Sequence, residues 1–312
     1  MTLAPLLVLL LLVGLVSGLT ALLVRQSAGG EETTVAEARQ YAARTSAAAV
    51  AVGLCAAVAA GFAAMLPVVY GVAMAGRAGV AAMMLPLAFG VAHTGTVLVG
   101  ELTWPRPGGV VRRARLAHRG LLHSVPAWLR RSAAATLAAG VALIAVGAAV
   151  ADPYGRSVTV RAGGGLVEGA ASPFVGSGYG VPALVGLACL VALTLAALWV
   201  VANRPAVVTD HEEVEAALRR ASAQRVLRGS TTAAMVVVGG LSAVSGLAVR
   251  SASTGAAETA RLNELPVGVA ASVLPWVGGA LAVVGMGSAL AGVAVFLVRT
   301  PAVPAEPVAA GQ

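Results

Sequence analysis

The chain has 312 residues, of which 58% are hydrophobic and only 11% are charged. Soluble globular domains carry about 25% charged residues, so this composition excludes a soluble protein with an ordinary polar surface. The apolar residues form long blocks between charged stretches, which predicts an all-α, polytopic bundle of transmembrane helices that is multi-pass in the cell (plasma) membrane. The net charge is +8 with no Lys, and the dominance of Ala, Val, Gly and Leu is typical of a GC-rich, bacterial genome.

About seven apolar segments approach the ~20 residues that a membrane-crossing helix needs. The predicted spans are 3–24, 47–70, 79–101, 133–151, 181–202, 232–250 and 273–297. They form one domain over residues 1–300, followed by a flexible tail at 301–312. With the N-terminus outside and the C-terminus inside, 16 of the 21 Arg residues fall in cytoplasmic segments, and only this parity satisfies the positive-inside rule. The first segment has no basic residues at its start, so it is predicted to be a span and not a signal peptide.

The predicted cytoplasmic loop 102–132 contains seven Arg residues and no acid. Its pattern predicts an amphipathic helix that lies in the membrane interface. The Arg residues expected to contact anionic lipid headgroups or an acidic partner are Arg112, Arg113, Arg115, Arg119, Arg130 and Arg131. The alternative is a topology anchor that only fixes orientation. Glu101, at the inner end of the third span, is predicted to be neutralised by Arg106 or Arg112.

Three further segments have local signals. In the second cytoplasmic loop, 203–231, the stretch 209–229 begins with acids and ends with Arg, which complements a helix dipole. It predicts a helix leading into the sixth span, either coupled to a cytosolic partner or a solvated extension. Thr34 and Glu37 have the spacing of a capping box. The alternation in 157–161 predicts a short strand.

Polar groups within the predicted spans are few. His93 lies near the middle of the third span, with Thr94 and Thr96 beside it, and the three are candidates for a polar pathway or proton relay. The alternative is interhelical hydrogen bonding, because no second intramembrane ionisable group pairs with His93. Cys55 and Cys189 are predicted to be small core residues. Small-xxx-small spacings are too common in this Ala- and Gly-rich chain to identify helix contacts.

The sequence contains no recognisable catalytic, metal-binding or nucleotide-binding motif. We therefore predict that the chain is not an enzyme and that it uses no metal, cofactor or nucleic acid. The spans and the polar third helix favour a transport-associated role, as a permease-like protein or a membrane subunit. The alternative is a non-catalytic structural or regulatory protein that acts through contacts with the anionic lipid bilayer or with a membrane or cytosolic protein. Transport predicts a water-accessible cavity at His93, whereas the alternative predicts dry helix packing there.

Overall fold

The computed structural model describes residues 34–69, 77–104, 121–122, 124–208 and 212–299. Within these ranges, six helices are long and apolar enough to cross a membrane. They are α1 (Val35–Val69), α2 (Arg77–Leu102), α3 (Ala127–Val150), α4 (Ser177–Asn203), α5 (Glu212–Leu262) and α6 (Gly268–Leu297). The all-α, membrane-type fold is confirmed, and each helix overlaps one of the last six predicted spans. The predicted span 3–24 and the predicted tail lie outside the described residues.

The helices α2 and α5 form the centre of the bundle. More than half of the spanning stretch of each is buried, against a third or less in the other four helices. The outer helices expose large apolar side chains, which is the arrangement expected of a surface in contact with lipid. Cys55 on α1 and Cys189 on α4 are also exposed. Their prediction as core residues is wrong, because a lipid-facing surface accepts a small apolar side chain as readily as a core does.

The two ends of the bundle differ in character. At one end, which we call the charged end, the C-terminal ends of α2 and α4 meet the N-terminal part of α5 and bring Glu101, Arg204 and Glu215 together. The opposite end, which we call the hairpin end, carries the antiparallel strands β1 (Val158–Ala162) and β2 (Val167–Ala171). The predicted strand at 157–161 is thus confirmed as β1.

Helix α1 begins at the charged end with the predicted capping box. The Thr34 N–H donates to Glu37 Oε2 over 2.9 Å, and the Glu37 N–H donates to Thr34 Oγ1 over 3.2 Å. These two bonds satisfy backbone donors that the first turn of a helix leaves without partners. The sequence signal therefore located the start of α1 correctly.

Helix α5 is 51 residues long, which corresponds to about 77 Å at 1.5 Å per residue. It therefore extends well beyond a bilayer core of about 30 Å. Its first turns were predicted as a helix, and one reading made them a solvated extension. That reading describes only one side of these turns, because Glu215, Arg219 and Arg225 are buried together with the apolar stripe of Val214 and Leu218. The helices α1, α2 and α4 cover the buried side of this part of α5, whereas Glu213, Ala216 and Arg220 remain exposed on its other side.

The hairpin packs on α5 where that helix extends past its apolar stretch. Alternate residues of β1 face a row of alanines spaced four apart on α5, at Ala248, Ala252, Ala256 and Ala260. The strand backbone approaches this row so closely that a methyl group added at Gly169 would lie 2.1 Å from the Ala252 carbonyl oxygen. The small side chains of α5 therefore determine where the hairpin lies.

Asp152 holds the loop that leads from α3 into the hairpin. Its Oδ1 accepts the backbone N–H groups of Arg156 at 2.8 Å and Ser157 at 2.9 Å. These bonds favour the carboxylate and hold the pKa of Asp152 below its ordinary value of 3.8. Because the pKa is lower in the folded state, the stabilisation is present above pH 3.8 and is lost as the pH falls through the folded-state pKa.

We therefore expect the amide protection of Arg156 and Ser157 to stay constant from neutral pH down to about pH 4 and to fall below it. Hydrogen exchange followed by NMR or mass spectrometry, corrected for intrinsic rates, measures this directly. The matched variant Asp152→Asn keeps an acceptor oxygen but does not titrate, so its protection should not show the acid loss. The same acid loss in both proteins would show that Asp152 is not responsible.

Candidate functional site at the charged end

A chain of buried ion pairs joins three helices at the charged end. Arg204 Nε lies 2.9 Å from Glu101 Oε2, and Arg204 Nη1 lies 3.2 Å from Glu215 Oε1. The same Glu215 oxygen lies 2.7 Å from Arg219 Nε. All four side chains are almost fully buried. Removal of one member would leave an uncompensated charge in a medium where charges are costly.

The end of α4 places Arg204 in this network. Pro205 follows it directly, and proline disfavours helical conformation in the preceding residue, so the helix ends there. The Arg219 guanidinium then donates to the last carbonyl oxygens of α4, those of Val201 at 3.2 Å, Ala202 at 2.9 Å and Arg204 at 2.7 Å. A cation at this position satisfies carbonyls that have no partner within the helix and complements the helix dipole.

Aromatic side chains cover the network. The Trp104 indole N–H donates to Glu101 Oε2 over 3.1 Å, and the Arg204 guanidinium lies 5.0 Å from the centre of the Trp104 ring. The Tyr41 ring packs 4.4 Å from the Trp104 ring, and its hydroxyl lies 2.9 Å from the Gly100 carbonyl oxygen. This cover keeps water from the ion pairs, which strengthens them. Arg106 and Arg112, the residues predicted to neutralise Glu101, both lie outside the described residues. Among the described residues, the ion-pair partner of Glu101 is Arg204.

Two further arginines lie beside the network without a carboxylate partner in the described part of the chain. Arg225 is buried, and its Nη1 donates to the Ala42 carbonyl oxygen over 3.2 Å. Arg228 is half-buried, lies 5.2 Å from the centre of the Phe296 ring and donates to the Val298 carbonyl oxygen. Its Nε is buried with no acceptor among the described residues. The described cluster therefore combines four Arg with two Glu, which leaves two positive charges in excess.

His93 lies against this cluster and is only 1% exposed. Its ring packs between Phe89 at 5.6 Å and Phe296 at 5.7 Å, measured between ring centres. A methyl group added at Gly229 would lie 2.2 Å from His93 Nδ1, so the glycine of α5 leaves room for the ring and none for water between them. Gly229 is adjacent to Arg228 in sequence, so His93 lies close to the charged cluster.

The other two predicted polar candidates, Thr94 and Thr96, differ in whether their hydroxyl groups are hydrogen-bonded. Thr96 is buried and donates to the Ala92 carbonyl oxygen of its own helix over 2.8 Å. Thr94 is fully buried, and its hydroxyl has no partner among the described residues. The structure therefore brings His93 close to the charged cluster, whereas Thr96 is satisfied within α2.

Only part of the predicted lipid-contact set can be located. Arg130 and Arg131 lie exposed in the first turn of α3, which begins at Ala127, and Arg130 Nη1 donates to the Leu122 carbonyl oxygen over 3.4 Å. The predicted interfacial helix therefore does not include these two, because they belong to a spanning helix. Four members of the set lie outside the described residues, namely Arg112, Arg113, Arg115 and Arg119.

Comparisons with protein-family models, with curated proteins and with solved structures find no match. Among the described residues, no three His, Cys, Asp or Glu side chains gather into a group that could hold a metal ion. Function therefore has to be inferred from the charges and packing at the charged end. Sequence reasoning missed Arg204, Glu215 and Arg219 as site residues, although the four-residue spacing of the last two is that of a helical ion pair.

Proposed function

We propose that the chain is a non-catalytic structural or regulatory membrane protein that acts through contacts with lipid or with another protein. The observation that carries this proposal is the sealed packing of His93 against Gly229, Phe89 and Phe296. A solute pathway along α2 needs water or free volume beside its polar group, and at this position two helices are in direct contact. The buried ion pairs next to it fix the helix ends relative to each other and present an Arg-rich surface.

The distribution of charge supports an orientation for this surface. In the predicted topology, 16 of the 21 Arg residues fall on the side of the charged end. We therefore propose that the charged end faces the cytoplasm, with the hairpin outside, the N-terminus outside and the C-terminus inside. In a bacterial cell this corresponds to the plasma membrane. It exposes Arg130 and Arg131 to anionic headgroups or to a cytosolic partner, and Arg220 to a cytosolic partner.

A transport-associated role is the second candidate, and one observation favours it. Several buried polar atoms on α2 and α5 have no partner among the described residues, namely His93 Nδ1, Thr94 Oγ1, Ser222 Oγ and Thr231 Oγ1. Buried polar atoms are normally hydrogen-bonded, and exceptions call for an explanation such as a water or a ligand. These atoms would line a polar path if α2 and α5 separated.

Accessibility of position 93 distinguishes the two candidates. In a variant with Cys55 and Cys189 replaced by alanine, we expect His93→Cys to remain unlabelled by a membrane-impermeant maleimide from either side. Val97→Cys, one turn away and also fully buried, controls for any space that a substitution opens. Labelling of position 93 but not of position 97 would overturn the contact role and favour transport.

The same assay tests the orientation with two exposed positions. Glu213→Cys, at the charged end, should be labelled only from the cytoplasmic side, and Glu168→Cys, in the hairpin, only from outside. The reverse pattern would show that the proposed orientation is wrong, together with the proposal of cytosolic contacts.

A further inference from the structure

Three arginines with exposed or half-buried side chains lie at one level of the bundle. Helices α3 and α5 run in the same direction, and Gly140 packs against Val238, with 2.8 Å between an added methyl group and Val238 Cγ2. Arg130 and Arg228 each precede these contact residues by ten positions, so they lie at the same depth. The α6 C-terminus contacts Arg228 through Phe296 and Val298, which brings Arg299 to this level too.

The spacing of charges along α5 places this level at a membrane surface. Between Arg228 and Arg250 lie 21 residues without a charged side chain. They measure about 32 Å along a helix, close to the ~30 Å thickness of a bilayer core. Arg228 therefore lies where lipid headgroups begin.

Arg228 and the neighbouring Arg225 need a counter-charge that the described residues do not supply. The two are three residues apart on α5, and the nearby carboxylate that attracts Arg225, that of Glu101, is already paired with Arg204. Like charges this close in a partly buried site repel each other unless an anion intervenes.

The exposed surface of α6 that leads to Arg228 is apolar, which suits a lipid better than a free ion. Leu297, the last residue of α6, is 74% exposed, and Leu290 and Val293 continue an exposed apolar face along the same helix. An acyl chain lying on that face would place its phosphate beside the end of α6. Arginine suits this contact because its guanidinium donates several hydrogen bonds to phosphate oxygens.

We propose that Arg228, with Arg225 behind it, binds the phosphate group of an anionic phospholipid between α5 and the C-terminal end of α6. This site goes beyond the contact role proposed above. The two proposals are also tested separately. If position 93 stays unlabelled by maleimide but anionic lipid has no effect on unfolding, only the lipid site is wrong.

The test compares lipids by their effect on the thermal unfolding of the purified full-length protein in detergent. We expect phosphatidylglycerol to raise the unfolding temperature more than phosphatidylcholine does. In Arg228→Gln, the apparent affinity for phosphatidylglycerol should fall about five- to tenfold. The matched control Arg220→Gln removes the same charge from an exposed position two turns farther from the bilayer, and it should retain the effect.

Other results would contradict the site. An equal loss in Arg220→Gln would show a general charge effect, and equal stabilisation by inorganic phosphate would show that the ligand is a free anion. Without anionic lipid, Arg228→Gln removes an uncompensated charge but also the hydrogen bond to the Val298 carbonyl and the contact with the Phe296 ring, so its unfolding temperature there serves as the reference for the lipid effect. An equally lower unfolding temperature in both lipids, with the affinity for phosphatidylglycerol unchanged, would assign Arg228 a purely structural role.

Discussion

Replacing Glu215 by glutamine is expected to lower the free energy of unfolding by about 3–5 kcal/mol. Glu215 Oε1 is shared by Arg204 and Arg219, and Oε2 accepts the backbone N–H of Val207 at 3.0 Å. A glutamine amide carries no charge. Its NH₂ group would take the place of one carboxylate oxygen and would face either the two arginines or the Val207 N–H, all of which are donors. Two buried guanidinium groups would then share Glu101 as their remaining nearby carboxylate. The ends of α4 and α5 should separate first, since Arg219 also holds the last carbonyls of α4.

Unfolding in mixed micelles of increasing sodium dodecyl sulfate fraction, followed by circular dichroism, measures this loss. The matched control is Glu213→Gln, which makes the same change at an exposed position two residues earlier. We expect that variant to lie within about 0.5 kcal/mol of the wild type. Similar values for the two variants would mean that the ion pairs of Glu215 do not hold the helix ends together.

The helices and the start of α1 were predictable because their signals are local. A segment that crosses lipid must satisfy its own backbone hydrogen bonds, so long apolar blocks become helices. The Thr34–Glu37 spacing located the start of α1, since both bonds of a capping box lie within one turn. Likewise, the alternation in 157–161 was sufficient for β1, whose burial pattern alternates with the same period.

The ion-pair partners at the charged end were not predictable in the same way. Glu101 and Arg204 are far apart in sequence, and proximity along the chain favoured Arg106 or Arg112 instead. The predicted orientation of the spans does place the ends of α2 and α4 and the start of α5 on one side of the membrane. Which side chains meet there depends on the packing of α2 between α4 and α5, and the nearly uniform apolar composition of these helices contains no signal for that choice.

The burial of the first turns of α5 was missed for a related reason. Val214 and Leu218 indicate one buried face, and the charged residues on the other faces favour exposure to solvent. In the structure, Glu215 and Arg219 are buried because α4 ends beside them and its terminal carbonyls need donors. A helix end in a neighbouring segment thus determines the environment of these charges.

The contact between α5 and α6 depends on glycines that the sequence could not distinguish from the many others. The two helices are antiparallel, and Gly239 and Gly246 of α5 face the backbone of α6 at Gly285 and Gly278. Their spacing of seven residues keeps them on one face. Such contacts let backbones approach closely in a membrane, where packing and not the hydrophobic effect drives helix association.

Gly239→Ala is therefore expected to lower the free energy of unfolding by about 1–3 kcal/mol. The added methyl group would lie 2.6 Å from the Gly285 carbonyl oxygen and 2.7 Å from the Ala289 backbone nitrogen. Neither atom belongs to a flexible side chain, so α6 as a whole must move away. The same unfolding assay in mixed micelles measures the change.

The adjacent residue provides the control. A methyl group at Gly240 meets nothing within 4 Å, and alanine favours a helix over glycine by up to about 1 kcal/mol. Gly240→Ala should thus be neutral or slightly stabilising, although it makes the same chemical change one position along the same helix. Because the two variants share any effect of helix propensity, their difference isolates the contact with α6. If both were neutral, α5 and α6 would be farther apart in the membrane than the glycine contacts require.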